Sequence, residues 1–194
     1  MLVSIVIRTL NEATYISEML QAIDMQTKQD LEVEVVIIDS GSTDATLSIA
    51  QDYGCKITFI MKDQFTFGRS LNMGSDFANG DILVYISGHC VPTNDAWLMQ
   101  LIKPIVDDVA GYTYGRQIGR DTTKYAERKI FEKYFPLQSK IPQNDIFCNN
   151  ANSAIARQVW SKFKFDEQIT GLEDMELAKR YNEHGGKIAY VADA

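Results

Sequence analysis

Two acidic stretches, far apart in the chain, carry the residue types from which chemistry is made. Val35-Val36-Ile37-Ile38-Asp39-Ser40-Gly41-Ser42-Thr43-Asp44 runs from a β-branched apolar stretch into an acid, small polar residues and a glycine. That order suits a buried parallel strand, a tight turn and a helix start. In open α/β sheets, ligands bind outside the carboxyl ends of strands, so Asp39 sits where it can accept hydrogen bonds from one. Glu173-Asp174 marks another helix start. The helix dipole stabilises carboxylates there as anions, while repulsion within the pair can raise one pKa. Each stretch has a plainer alternative. Asp39 can form an Asx turn or cap the next helix, and the acid pair can be ordinary first-turn residues. Together they point to an enzyme that holds a nucleotide at one end of a cleft and does acid–base chemistry at the other.

These residues need a scaffold, and the first half of the chain supplies alternating strand and helix signals. Leu2 to Ile7, Val33 to Ile38, Lys56 to Met61 and Ile82 to Ser87 read as strands. Asn11 is placed to cap a helix bearing Ile16, Met19, Leu20 and Ile23 at helical spacing. Ser42 or Thr43 is placed to cap the next, with Asp44 in its first turn. Arg69 to Ala78 reads as a helix, and Trp97, Leu98, Leu101 and Ile102 form the apolar face of another, which Pro104 should end. The alternation predicts a mainly parallel sheet with right-handed crossovers. The second half is less regular. It reads as strands at 110–117, 152–156 and 187–192, helices at 122–134 and 173–183, and a loop at 137–148 that holds Pro142, overlapping a segment (134–147) that could close as a lid. Asn72 and Gly74 read as helix-packing residues, Trp97 and Trp160 as core. Asn149, Asn150 and Asn152 are placed to bond sugar hydroxyls.

The 194 residues fit one domain with a substantial core. Hydrophobic content of 45% and charged content of 23% are ordinary for a globular protein. A net charge of -7 argues against nucleic-acid binding and gives no overall polybasic signal. No apolar run reaches membrane-spanning length. Cys55, Cys90 and Cys148 lie outside any CxxC pattern and read as reduced thiols in a cytoplasmic setting. The first strand lacks a following GxGxxG and there is no P-loop lysine, which disfavours a nicotinamide dehydrogenase or a kinase. Because the sequence stops just after a strand, it reads as the N-terminal part of something longer.

Four segments in order resemble family 2 glycosyltransferases: Ser4 to Glu12, Val36 to Asp44, Gly68 to Gly74 followed by Asn79-Gly80-Asp81, and Gly171-Leu172-Glu173-Asp174. Their wording is closest to bacterial rhamnosyltransferase-like and polysaccharide-assembly members. The resemblance implies a single-domain α/β protein of the GT-A fold, with a mainly parallel central sheet flanked by helices. Residues 1–90 would form its nucleotide-binding half and 91–194 its acceptor-side half. It implies transfer of a sugar, with inversion, from a nucleotide-diphosphate donor to a hydroxyl. A UDP or dTDP donor, a sugar or lipid-linked acceptor and a cytoplasmic location, at the inner face of the membrane, are expected. A carboxylate suits a pyrimidine N3–H; by resemblance Asp39 contacts the base. Thr9, Asn11, Glu12, Ser40, Gly41, Arg69, Ser87 and Gly88 line the same pocket. Arg69 has the donors and fixed charge for base or diphosphate, although a solvated helix-start charge is the simpler reading. Asp174 is the implied base, with Glu173 orienting it or touching the acceptor.

The resemblance fails at one point. Most members carry an Asp-x-Asp pattern after the central strand, whose last aspartate helps hold Mg²⁺ or Mn²⁺. Here the sequence is Ser87-Gly88-His89. His89 can take over as metal ligand, with imidazole suiting Mn²⁺ better than Mg²⁺. It can also bond the diphosphate directly, or be a plain turn residue. The altered motif leaves a non-catalytic nucleotide-sugar-binding module as the alternative to an active transferase.

Overall fold

Strand β1 (Leu2–Thr9) is apolar on both faces and lies in the middle of the sheet. Strands buried on both sides read as continuous apolar runs, because each residue meets a covering layer. Val3, Ile5 and Ile7 project to one layer, which holds α1 (Ile16–Asp24) and α4 (Trp97–Val106). Val6 projects to the other, which holds α3 (Phe67–Phe77), α6 (Arg157–Phe163) and α7 (Glu173–Glu183). The computed structural model describes residues 1–194. The remaining elements are β2 (Glu32–Asp39), α2 (Thr46–Asp52), β3 (Lys56–Phe59), β4 (Ile82–Ser87), β5 (Tyr112–Gly115), α5 (Tyr125–Tyr134), β6 (Asn152–Ala156) and β7 (Ile188–Val191).

The strand order is β3-β2-β1-β4-β6-β5-β7. β3, β2, β1 and β4 pair in parallel, as expected. β6 alone runs the other way, antiparallel to both β4 and β5, while β7 returns parallel to β5. The reversal matters for the site. It places the start of β6 beside the end of β4, with Asn152 opposite Ile86. Register levels the other ends too, since Thr9 lies opposite Asp39 and Arg8 opposite Ser87. The ends of β2, β1 and β4 and the start of β6 thus form one rim.

Several local expectations change. Asn11 does not cap α1; that helix begins at Ile16, and its N-cap residue Tyr15 makes no side-chain cap bond. Asn11 instead sits at φ 57°, and its Oδ1 accepts the Thr43 N–H at 2.8 Å. Neither Ser42 nor Thr43 caps α2, because the loop runs on to Thr46, whose N–H donates to Asp44 Oδ1 at 2.9 Å. Pro104 does not stop α4, which runs on to Val106; the ring removes one donor and is buried. The segment expected to close as a lid is a strap along β7. Lys140 and Tyr190 exchange two backbone bonds of 2.9 Å, and the Gln143 N–H donates to the Ile188 carbonyl at 2.8 Å. Tyr134 also stacks on Phe147 at 5.3 Å. Single bridges of this kind leave no periodic trace in a sequence.

Candidate active site

The loops after β1 and β2 are laced together. The Asn11 N–H donates to Ser42 Oγ (2.8 Å), the Glu12 N–H to Thr46 Oγ1 (2.8 Å) and the Ala13 N–H to Asp44 Oδ2 (3.1 Å). Asp39 lies at the centre, fully buried. Its Oδ1 accepts the backbone N–H groups of Gly41 (2.8 Å) and Ser42 (2.7 Å). Its Oδ2 accepts the Thr9 hydroxyl at 2.9 Å and the Ser42 hydroxyl. This is the Asx-turn alternative realised. Four donors fill a carboxylate's lone-pair sites, so a base could reach Asp39 only by displacing one of them, and Ser42 Oγ is the partner free to rotate. Gly41, at φ 103°, adopts a conformation that a side chain would strain. The Ser40 N–H and hydroxyl both bond the Thr9 carbonyl at 3.1 Å.

On β4 the chain turns through Ser87-Gly88-His89, and the Cys90 N–H closes the turn on the Ser87 carbonyl at 2.9 Å. A Cβ on the buried Gly88 would meet Glu12 Cγ at 2.8 Å and the Arg8 carbonyl oxygen at 3.0 Å. Glycine is therefore required for the β1 and β4 loops to touch. The contact leaves the exposed His89 Nδ1 3.5 Å from Glu12 Oε1. No third His, Cys, Asp or Glu joins them. As a donor set, one carboxylate and one imidazole fit a cation only if diphosphate oxygens complete the sphere, and the nitrogen favours Mn²⁺ over Mg²⁺.

The opposite wall is the start of α7. Leu172, ahead of it, is held at φ 62°. For a non-glycine residue that conformation is strained, and such residues gather at functional sites. It delivers Glu173 and Asp174 into the first helical turn. Glu173 is buried. Its Oε1 lies 3.7 Å from Arg8 Nη1, and the Arg8 guanidinium lies 4.8 Å from the centre of the Phe67 ring. Burial depresses the Arg8 pKa, opposed by Glu173 and Asp174. Asp174 is half-buried. Desolvation raises its pKa above the ordinary carboxylate value, the Glu173 charge adds to the rise, and the N–H groups of Met175 and Asn150 oppose it. Those donors stand 2.8 and 3.1 Å from its carboxylate oxygens. The antiparallel β6 brings Asn150 here. A general base gains proton affinity as its pKa rises, and this half-buried carboxylate has its pKa raised.

The contacts therefore link Asp39, Thr9, Glu12, Gly88 and His89 along the rim, and Arg8 on β1 to Glu173 across it. Arg69 stands apart from this chain of contacts. Its Nε pairs with Glu167 Oε2 at 2.9 Å and its Nη1 donates to the Gln64 carbonyl at 3.0 Å. Asn152 does not face the cleft as a sugar ligand. It accepts the Trp97 indole N–H at 2.9 Å and is buried. Asn150 Oδ1 is likewise occupied, by the hydroxyls of Tyr112 (2.7 Å) and Ser153 (2.9 Å). Arg8 is the member that sequence reasoning passes over. The available signal was a lone arginine within the apolar run Ile5-Val6-Ile7-Arg8, where an unpaired charge would be expensive to bury.

Comparison with known proteins gives a consistent picture. The family model described as "Glycosyl transferase family 2" matches residues 4–163. The O-antigen chain rhamnosyltransferase RfbN of Salmonella typhimurium is 24% identical, over 100% of this chain and 65% of its own length. The O-antigen chain rhamnosyltransferase WbaN of Salmonella anatum is 29% identical, over 92% of this chain and 59% of its own. The chain thus spans about three-fifths of these curated relatives. Among solved structures, S. aureus TarS 1-349 in complex with UDP superposes with a TM-score of 0.79 at 19% identity, over 100% of this chain and 59% of that one. The mannosyltransferase PcManGT from Pyrobaculum calidifontis, in complex with GDP-Man and Mn2+, gives a TM-score of 0.74 at 20% identity, over 98% and 55%.

Proposed function

The chain belongs to glycosyl transferase family 2 and has the GT-A fold, and from that premise we propose that it transfers a sugar, with inversion, from a nucleotide-diphosphate donor to a hydroxyl acceptor. Surface polysaccharide synthesis is the setting that its rhamnosyltransferase relatives favour. The observation that carries the reading is Asp174: a half-buried carboxylate of raised pKa, next to an ionic partner that reaches back to β1. In this reading residues 1–90 hold the donor and 91–194 the acceptor.

The base is a pyrimidine, as in UDP or dTDP. Its N3–H takes the place of the Ser42 hydroxyl on Asp39, while Thr9, Asn11, Glu12, Ser40 and Gly41 keep the pocket in shape. Ser87 and Gly88 pass beneath the diphosphate. Glu12 and His89 would hold Mn²⁺ together with the diphosphate oxygens, and such an ion supplies positive charge that offsets the charge of the departing group. Arg69, held by Glu167 and the Gln64 carbonyl, is given no contact with the donor. Asp174 accepts the acceptor hydroxyl proton as that oxygen bonds to the anomeric carbon. The bond from that carbon to the diphosphate oxygen breaks, and the nucleoside diphosphate leaves. Glu173, anchored by Arg8, keeps Asp174 in place and its pKa raised. A sugar or lipid-linked hydroxyl serves as acceptor. Three free cysteines suit the reducing cytoplasm. No helix is long and apolar enough to cross a membrane. A lipid-linked acceptor would be met at the membrane's inner face if the enzyme works in the cytoplasm.

Calorimetric titration with UDP tests the donor half. Asp39→Asn retains acceptors for the loop N–H groups but sets an amide against N3–H, so affinity should fall by roughly tenfold or more. Ser42→Ala frees Oδ2 and should bind UDP at least as tightly as the wild type. Asp39→Asn binding UDP like the wild type would remove the proposed base contact.

A further inference from the structure

Charge is unevenly distributed along this acidic chain. Residues 116–140 carry seven basic side chains against three acidic ones, a net charge of +4 in a protein of -7 overall. The segment centres on α5, none of whose residues is buried. Ile130 and Tyr134 lie one turn apart on that helix and are 54% and 43% exposed, and Leu137 just beyond is 78% exposed. Lys129 and Lys133 lie along the neighbouring stripe, with their ammonium groups 5.6 and 5.1 Å from the Tyr125 and Tyr134 rings. Arg120 and Arg128 anchor the segment. Arg120 pairs with Glu18 at 3.3 Å, and Arg128 donates to the carbonyls of Asp121 and Thr123 at 2.6 and 3.1 Å.

We infer that α5 and its flanks form a docking surface for an anionic lipid bilayer. Exposed aliphatic and aromatic side chains bordered by lysines are what an interfacial helix presents. The apolar groups enter the headgroup boundary and the ammonium groups stay among the phosphates. Each basic residue near such a surface adds attraction, and the strongly acidic remainder of the protein is repelled, so the complementarity also fixes orientation. The orientation is productive. Gln117, where the segment leaves β5, donates to Asn149 Oδ1 at 2.8 Å, next to the residue that bonds Asp174. The docked face therefore borders the acceptor wall of the cleft. This rests on the transferase reading only in explaining how a lipid-linked hydroxyl arrives; the docking itself is tested separately.

Co-sedimentation with vesicles of phosphatidylglycerol and phosphatidylcholine, against pure phosphatidylcholine, is the test. The chain should bind the anionic vesicles, ignore the neutral ones, and be released by about 0.5 M salt. Lys129→Glu/Lys133→Glu should weaken binding by roughly tenfold or more, and Ile130→Asp/Leu137→Asp should weaken it as well. Both pairs should leave UDP affinity unchanged, so loss of UDP binding in the wild type would count against the transferase reading alone. Equal binding to neutral vesicles, no binding to anionic ones, or variants that bind like the wild type would overturn the proposal. A dimer that these substitutions split, without any vesicle binding, would assign the face to a second copy of the chain.

Discussion

At the scale of single residues, the environment of one carboxylate, Asp174, tunes the proposed chemistry. Burial raises the Asp174 pKa, and the Glu173 charge raises it further. The acid limb of any transfer-rate profile should therefore lie above the ordinary aspartate value. Glu173→Gln should move that limb to lower pH, which a pH–kcat series would show; an unmoved limb would uncouple the two acids. The sign for stability is opposite to that for activity. A carboxyl group whose folded pKa is raised stabilises the fold most fully below its unfolded value, and that contribution is lost as pH rises through the folded value. Asp174→Asn removes a half-buried charge whose desolvation, with repulsion from Glu173, outweighs its two backbone N–H donors, so its thermal midpoint at pH 7 should equal or exceed that of the wild type. Stability given up for function is the usual pattern at such sites. Glu173 and Asp174 were legible as a pair, because adjacent acids before a helical stretch leave a sequence signature. Arg8 was not, because its partner lies on a helix that only the folded chain brings near. Asp39 was legible as an important residue while its local bonds were not, since both of its readings predict an aspartate at the end of a strand.

At the scale of elements, two helices and a sheet edge show what holds the cleft in place. Asn72 on α3 is buried and fully used. Its amide donates to the Phe165 carbonyl (2.9 Å) and Glu167 Oε1 (3.0 Å), and its oxygen accepts from the Trp160 indole and the Phe165 N–H, both at 3.1 Å. Asn72→Ala should cost about 2–4 kcal/mol in a urea titration, since several buried partners lose their mates at once. A Cβ on Gly74 would meet Ile38 Cδ1 at 2.0 Å and Val6 Cγ1 at 2.7 Å. Helix α3 lies that close to the sheet. At the amino end of the strands, Glu34 ties three of them to the turn before β4. Burial works against its charge, but Lys56, the Ser4 hydroxyl and the Asn79 N–H outweigh that and lower its pKa to about 2. The resulting stabilisation is complete above the unfolded value and fades as pH falls towards 2. Glu34→Gln should therefore lower the thermal midpoint at pH 7 and leave it nearly unchanged near pH 2. The four parallel strands were readable from β-branched runs between helical patterns. The direction of β6 was not, because its five residues are buried throughout and leave no alternation to read, and the choice rests on connections through loops that carry no periodicity.

At the scale of the whole molecule, two apolar layers enclose a sheet whose strand ends meet on one rim. The proposed mechanism assigns recognition of the base to β1 and β2, charge at the diphosphate to β4, and proton removal to β6 and α7. The order of motifs in the sequence made the fold class readable, and the net charge of +4 in 116–140 can be counted there too, but nothing in it foretold how Gly88 lets Glu12 meet His89. In the proposed mechanism donor binding and proton removal occupy one cleft but use separate groups. The measurement that reaches it most directly is transfer from a nucleotide-sugar donor by Asp174→Asn, made beside a UDP titration of the same variant. Transfer should fall by roughly 10²–10⁴-fold with UDP affinity unchanged; transfer at the wild-type rate would remove Asp174 as the base.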